Sequence, residues 1–140
     1  MKWVFGECLP GDMIRIKTGA VYHYGIFVSD AEVIQFGYPP LPEYAAKNDP
    51  PLVCAVDVDT FADGKIIERA ELDRKEKKGV DPGVTVERAR AAIGTGGYNI
   101  IHNNCEHFAY GCMFGVKRSP TEESMRLKWQ NFMKNKRSGN

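Results

Sequence analysis

The sequence lacks a long hydrophobic run: no apolar stretch approaches the roughly 18 residues that a membrane-spanning helix needs. It also lacks a dominant charge, since 19 basic and 18 acidic residues leave a net charge of +1 and give no reason to expect a nucleic-acid partner. Residues 1–6 are too short to act as a secretory signal. We therefore expect a cytoplasmic protein whose four cysteines are free thiols.

The 140 residues are 43% hydrophobic and 26% charged, values typical of one globular domain that spans residues 1–140. A chain of this size buries roughly two thirds of its unfolded surface, enough for one core. The predicted strands come first and the predicted helices later, without regular alternation. This order favours an α+β fold, with an antiparallel β-sheet packed against helices.

Apolar–polar alternation and β-branched residues predict strands at residues 12–17, 21–29, 32–36, 52–58, 65–69 and 98–101. Residues 71–79 are highly charged and predict a solvated turn or a short helix. Helices are predicted from Thr85 to Ile93, from an Asn104 N-cap to about Gly115, and after Ser119. Period two in the strands places His23 and Gly25 on one face.

A cysteine nucleophile needs a base, and the chain has only three histidines, at positions 23, 102 and 107. Cys105 is the one cysteine predicted at a helix N-terminus, where the helix dipole favours a thiolate. The others are predicted in a loop, a strand and a helix interior: Cys8, Cys54 and Cys112.

Spacing leaves the choice of base open. His107 is two residues further along the predicted helix, about 200° around its axis, and should not face Cys105. His102 could reach back from the preceding loop, and His23 could approach from the sheet, with Gln35 fixing its ring orientation. A lone cysteine is more often a small buried hydrophobe. A zinc site is not predicted, because the paired Cys-x₂-Cys that structural zinc prefers is missing.

Two segments resemble a known family. Residues 10–16 (PGDMIRI) followed by 21–28 (VYHYGIFV) resemble the first motif of the lecithin:retinol acyltransferase family, and in particular its H-Ras-like suppressor branch of phospholipase/acyltransferases. Residues 104–108 (NCEHF) match the second motif at every position. The resemblance covers about residues 9–120 and implies a circularly permuted papain-like fold, related to NlpC-type peptidases, in which the histidine strand precedes the cysteine helix.

The resemblance also implies roles for three side chains. Cys105 matches the nucleophile and His23 matches the base. Gln35 stands where the family has a third polar residue, often a second histidine. Glutamine can accept the imidazole N–H through its carbonyl oxygen, but it carries no charge to support an imidazolium.

Other residues near these positions are candidates for oxyanion stabilisation or for support of the catalytic groups. The backbone N–H of Cys105 and the Tyr22 hydroxyl are candidate oxyanion donors. Asn104 and His107 are candidate supporting residues. Glu106 is expected at the surface, where it suits the positive end of the helix.

The predicted function is acyl transfer through a thioester on Cys105, without a cofactor, on an acyl-bearing small molecule such as a phospholipid. The acceptor decides between hydrolysis and transfer, and the sequence does not select it. Two alternatives stay open: an NlpC-type thiol amidase or peptidase, and a non-catalytic binding module that keeps the fold.

The carboxyl-terminal segment 117–140 holds seven basic and two acidic residues, a local charge of +5. It is predicted to form an amphipathic helix and a polar tail. Packing of its apolar stripe on the core is favoured, and weak contact of residues 117–137 with an anionic membrane surface is the alternative.

Overall fold

The computed structural model describes residues 1–38, 50–96 and 104–115. The predicted strand at 98–101, the helix after Ser119 and membrane contact through 117–137 lie outside the described residues. The side chains of His102 and Asn104 lie outside them as well.

The architecture is a six-stranded antiparallel sheet with the order β1-β6-β2-β3-β4-β5. Its strands are β1 (Lys2–Val4), β2 (Met13–Thr18), β3 (Val21–Ser29), β4 (Glu32–Gly37), β5 (Leu52–Val56) and β6 (Glu68–Glu71). The described helices are α1 (Val58–Ala62), α2 (Arg74–Lys77), α3 (Pro82–Ala92) and α4 (Asn104–Phe114). The α+β fold with an antiparallel sheet is thus confirmed.

Two hairpins build the centre of the sheet. β2 pairs with β3 so that Ile16 lies opposite His23, and β3 pairs with β4 so that Gly25 lies opposite Gln35. β5 then adds to β4 with Cys54 opposite Gln35. Because directly opposite residues of antiparallel strands point to the same face, these registers bring polar side chains of three neighbouring strands together.

The sheet buries a hydrophobic cluster on each face. On one face, Met13, Ile26 and Ile34 pack with Ala109 and Met113 of α4. The other face is covered by α1, whose Phe61 packs among the residues of the second cluster: Ile14, Ile16, Phe27, Val33, Cys54 and Val56. Gly25 makes room for this helix, since a Cβ there would lie 2.8 Å from Phe61 Cε2.

Several predicted boundaries were wrong. Asp81 is the N-cap of α3 and accepts from Gly83 N–H, while Thr85 is fully buried inside the helix and donates its hydroxyl to the Asp81 carbonyl. The strand predicted to reach residue 58 ends at 56, because Asp57 accepts from Thr60 N–H and caps a helix there.

The outer strands also differ from expectation. The strand predicted at 65–69 is β6, shifted to 68–71, and β1 was not predicted. The short-helix alternative for residues 71–79 is confirmed by α2, which a capping box begins at Asp73. α4 begins at Asn104 itself, one residue before the predicted first helical residue.

Candidate active site

His23 and Gln35 form the best-defined polar contact of the predicted site. The His23 Nε2 and Gln35 Oε1 atoms are 2.8 Å apart, and the imidazole stacks on Phe61 with 5.2 Å between ring centroids. Burial lowers the pKa of His23, and the bond with Gln35 partly raises it again. The imidazole is therefore neutral at physiological pH and able to accept a proton.

The bond with Gln35 defines the tautomer of His23. An amide oxygen only accepts, so the imidazole Nε2 must carry the proton and donate it. In a neutral ring the lone pair then lies on Nδ1. This is the atom that a general base needs, and it is not occupied by the contact with Gln35.

The other end of the Gln35 amide contacts a residue that sequence reasoning left out. Gln35 Nε2 lies 3.9 Å from Cys54 Sγ, and the two residues are 8% and 6% exposed. Only the register between β4 and β5 reveals this contact. The alternation of residues 52–56 gives the face of Cys54, but not its partner on β4.

Cys105 lies in the first turn of α4, against β3. Its Sγ is 3.9 Å from the Tyr22 carbonyl oxygen. The Tyr24 backbone N–H also points at the sulfur and lowers its pKa. These two peptide groups flank His23 along the strand, so the thiol lies against the main chain of the predicted base, on the face of the sheet that α4 covers.

The thiol lies along the part of β3 that pairing with β4 does not reach. Phe27 exchanges backbone hydrogen bonds with the β2 side, through Asp12 O and Gly11 N, so the even-numbered residues of β3 point their peptide groups toward β4. Pairing with β4 runs only as far as Gly25–Gln35. The first turn of α4 takes the position beyond that point.

The structure thus brings His23 and Gln35 together and carries Cys105 to the main chain of the same strand. Within the described residues, no hydrogen bond joins the Cys105 thiol directly to the imidazole. The thiol approaches residue 23 from the strand edge, and the imidazole projects from the strand face.

The electrostatic surroundings of Cys105 hold it as a thiol. Burial is the main effect and raises its pKa, and the charge of Glu106 raises it further. Backbone N–H groups of Tyr24, Glu106 and Cys105 oppose this. A protonated thiol must lose its proton to a base before it can act as a nucleophile, and a neutral imidazole is a suitable base.

Glu106 is 5% exposed, so the expectation that it lies at the surface was wrong. The Tyr24 hydroxyl donates to its carboxylate and accepts from Arg15, and burial together with Glu106 raises the pKa of Tyr24. A buried polar contact next to Cys105 thereby ties the first turn of α4 to the sheet.

Tyr22 and Arg15 extend this contact outward. The Arg15 guanidinium lies 3.9 Å from the Tyr22 ring centroid and 4.1 Å from that of Trp3, and it pairs with Glu68 at 3.2 Å. The Tyr22 carbonyl group therefore contacts the thiol, while the Tyr22 ring packs on Arg15.

His107 is half-buried on α4, and its supporting role stays a prediction, as do those of Asn104 and the Tyr22 hydroxyl.

The described residues contain neither a cluster of metal-ligating side chains nor a membrane-spanning helix. Among them, no three His, Cys, Asp or Glu side chains converge in a way that could hold a metal ion. None of the helices in these ranges has the length and apolarity required to traverse a bilayer.

Comparison with known proteins agrees with the two motifs. The family model described as lecithin retinol acyltransferase matches residues 6–118. Lecithin retinol acyltransferase from Rattus norvegicus is 28% identical over 134 residues, which cover 82% of this chain and 58% of the rat protein. The Bos taurus protein is 29% identical over 135 residues, covering 80% and 57%. The Homo sapiens protein is 26% identical over 136 residues, covering 81% and 57%.

The chain thus spans less than three fifths of the length of these relatives. The predicted family is confirmed, while assignment to the H-Ras-like suppressor branch stays a prediction. Because the family model matches most of the sequence, the chain belongs to the lecithin retinol acyltransferase family.

Proposed function

We propose that the protein transfers acyl groups from a lipid ester, such as a phospholipid, through a thioester on Cys105. One observation carries the proposal: the thiol lies against the β3 main chain at residue 23, and the bond to Gln35 uses Nε2 of that histidine and not the Nδ1 lone pair. Relatives named lecithin retinol acyltransferase support the acyl chemistry.

The first half-reaction follows from these protonation states. As the Cys105 sulfur attacks the ester carbonyl carbon, its proton passes to His23 Nδ1. The ester C–O bond breaks, and the imidazolium returns the proton to the departing alkoxide. The products are a thioester on Cys105 and the deacylated alcohol.

The second half-reaction repeats the proton transfers with an acceptor. His23 takes a proton from water, an alcohol or an amine, and the acceptor attacks the thioester carbonyl. The C–S bond breaks, and the thiolate regains its proton from the imidazolium. Water gives hydrolysis, and the other acceptors give transfer.

Backbone N–H groups supply the proposed oxyanion stabilisation. The first N–H groups of a helix have no partner inside it, and those of Cys105 and Glu106 already point at the sulfur. As negative charge moves from sulfur to the carbonyl oxygen, the Cys105 N–H is placed to follow it. The Tyr24 N–H on the strand edge is available for the same purpose.

The test is mass spectrometry of the intact protein and its peptides after incubation with phosphatidylcholine vesicles. We expect an acyl adduct on Cys105 that is removed by hydroxylamine and is absent in Cys105→Ala and His23→Ala. Cys8→Ala is the matched control, because Cys8 is also a half-buried thiol and should not affect the adduct. Circular dichroism checks that each variant is folded.

Two outcomes would reject the proposal in favour of the alternatives. An adduct from activated peptides but none from lipid esters would indicate a thiol amidase of the NlpC kind. Ordinary thiol reactivity of Cys105, with no dependence on His23, would indicate a binding module that retains the fold.

A further inference from the structure

The Gln35 amide can be oriented in two ways, with either Oε1 or Nε2 directed at His23, and a histidine in its place has no amide to orient. Its two ends differ, since Oε1 only accepts hydrogen bonds and Nε2 only donates them. With Oε1 toward His23, the imidazole holds its proton on Nε2 and its lone pair on Nδ1. A reversed amide would donate to Nε2 and move the imidazole proton to Nδ1, where it would block acceptance of the Cys105 proton.

Cys54 is the residue at the other end of this amide. It lies directly opposite Gln35 across β4 and β5, and its sulfur is 3.9 Å from Gln35 Nε2. Both residues are buried, so bulk water does not satisfy the amide in place of the sulfur. Burial raises the pKa of Cys54, so its sulfur stays an uncharged thiol that can accept a weak hydrogen bond.

We propose that Cys54 is a positioning residue: its sulfur accepts the Gln35 N–H, holds the amide oxygen on His23, and so fixes the imidazole tautomer that receives the proton of Cys105. The last step rests on the proposed function. The first two concern the ground-state structure and can be tested without a substrate.

The expected effect is modest because a sulfur acceptor is weak. Loss of one neutral hydrogen bond changes a rate or a population by roughly twofold to tenfold. Cys54→Ala should therefore reduce the share of the Nε2–H tautomer of His23 and slow alkylation of Cys105 by about that factor. Cys54→Ser should stay within about twofold of the parent, because a hydroxyl oxygen of nearly the same size also accepts.

Two readouts are combined in the experiment. Nitrogen-15 NMR of the imidazole reports the His23 tautomer directly. Peptide mass spectrometry after iodoacetamide treatment gives the alkylation rate of Cys105 relative to Cys8 in the same molecule. Val53→Ala is the matched control, because it truncates the neighbouring buried residue of β5 on the opposite face and should leave the tautomer unchanged.

The same Cys54 substitution in a Gln35→His variant tests whether Cys54 acts through the Gln35 amide. In Gln35→His there is no amide to orient, so adding Cys54→Ala should leave both the tautomer and the alkylation rate unchanged. An unaltered tautomer in Cys54→Ala alone would overturn the inference, whatever the rates do. If alkylation of Cys105 ignores His23 altogether, the proposed function fails, while the tautomer measurement still decides the role of Cys54.

Discussion

Replacement of Gln35 by methionine removes its hydrogen bonds at nearly constant volume and tests whether the amide orients His23. The bond lost is the 2.8 Å contact with the imidazole. A neutral hydrogen bond contributes about 0.5–1.5 kcal/mol, which corresponds to about a twofold to tenfold fall in the rate constant of Cys105 alkylation. A buried imidazole N–H without a partner should also lower the free energy of unfolding by about 1–3 kcal/mol.

The assay measures the iodoacetamide rate constant at Cys105 by peptide mass spectrometry, and the unfolding free energy by urea titration. Gln35→Met should further depress the pKa of His23, because the bond with Gln35 raises it in the parent protein. Gln35→His should restore the parent rate, since a second imidazole can also accept the His23 N–H. Equal rates in the parent, Gln35→Met and Gln35→His, together with a slow His23→Ala variant, would refute an orienting role for Gln35.

Three further predictions concern pH, packing and the buried polar contact. The alkylation rate of Cys105 should be level through neutral pH and should fall as the pH drops through the His23 pKa, which lies below the ordinary value of 6.5, because a protonated imidazole cannot accept the thiol proton. A rate that already falls when the pH is lowered from 8 to 7, as direct ionisation of the thiol would produce, would contradict this prediction. Gly25→Ala should lower the unfolding free energy by about 1–3 kcal/mol in urea titration, because its Cβ would lie 2.8 Å from Phe61; an unchanged midpoint would contradict the packing. Tyr24→Phe should lower the unfolding free energy by about 1–3 kcal/mol in the same titration, because the buried Glu106 carboxylate loses its hydroxyl donor. An unchanged unfolding free energy would show that this contact does not stabilise the fold.

The central strands could be predicted because the pattern of apolar residues along each strand shows which side chains point to each face of the sheet. The alternation through β2 and β3 reflects two buried clusters, one on each face of the sheet. β1 and β6 are too short to show such a pattern, with three and four residues. β1 is held by pairing with β6, and β6 by pairing with both β1 and β2, across long sequence separations.

Local signals failed where a stronger competing signal stood nearby. Thr85 is an acceptable cap, but Asp81 followed by Pro82 combines a better cap with the preferred first helical residue. Glu106 suits a helix N-terminus whether it is exposed or buried. Its burial depends on the Tyr24 hydroxyl, which comes from a strand more than 80 residues away, so no local pattern could show it.

The position of the site depends on β3 extending beyond the point at which it stops pairing with β4. The family resemblance implies that the Cys105 thiol and the His23 imidazole belong together, but it does not say how a helix end reaches a strand interior. The structure answers this through the edge of β3 that faces β4, where pairing with β4 stops at Gly25 and does not reach the peptide groups of Tyr22 and Tyr24. Backbone groups left open in this way need other contacts, and the first turn of α4 supplies them with the Cys105 sulfur. The point at which β3 stops pairing with β4 therefore also determines where the Cys105 thiol lies, and residues that set this point should change the reactivity of the thiol without touching a substrate.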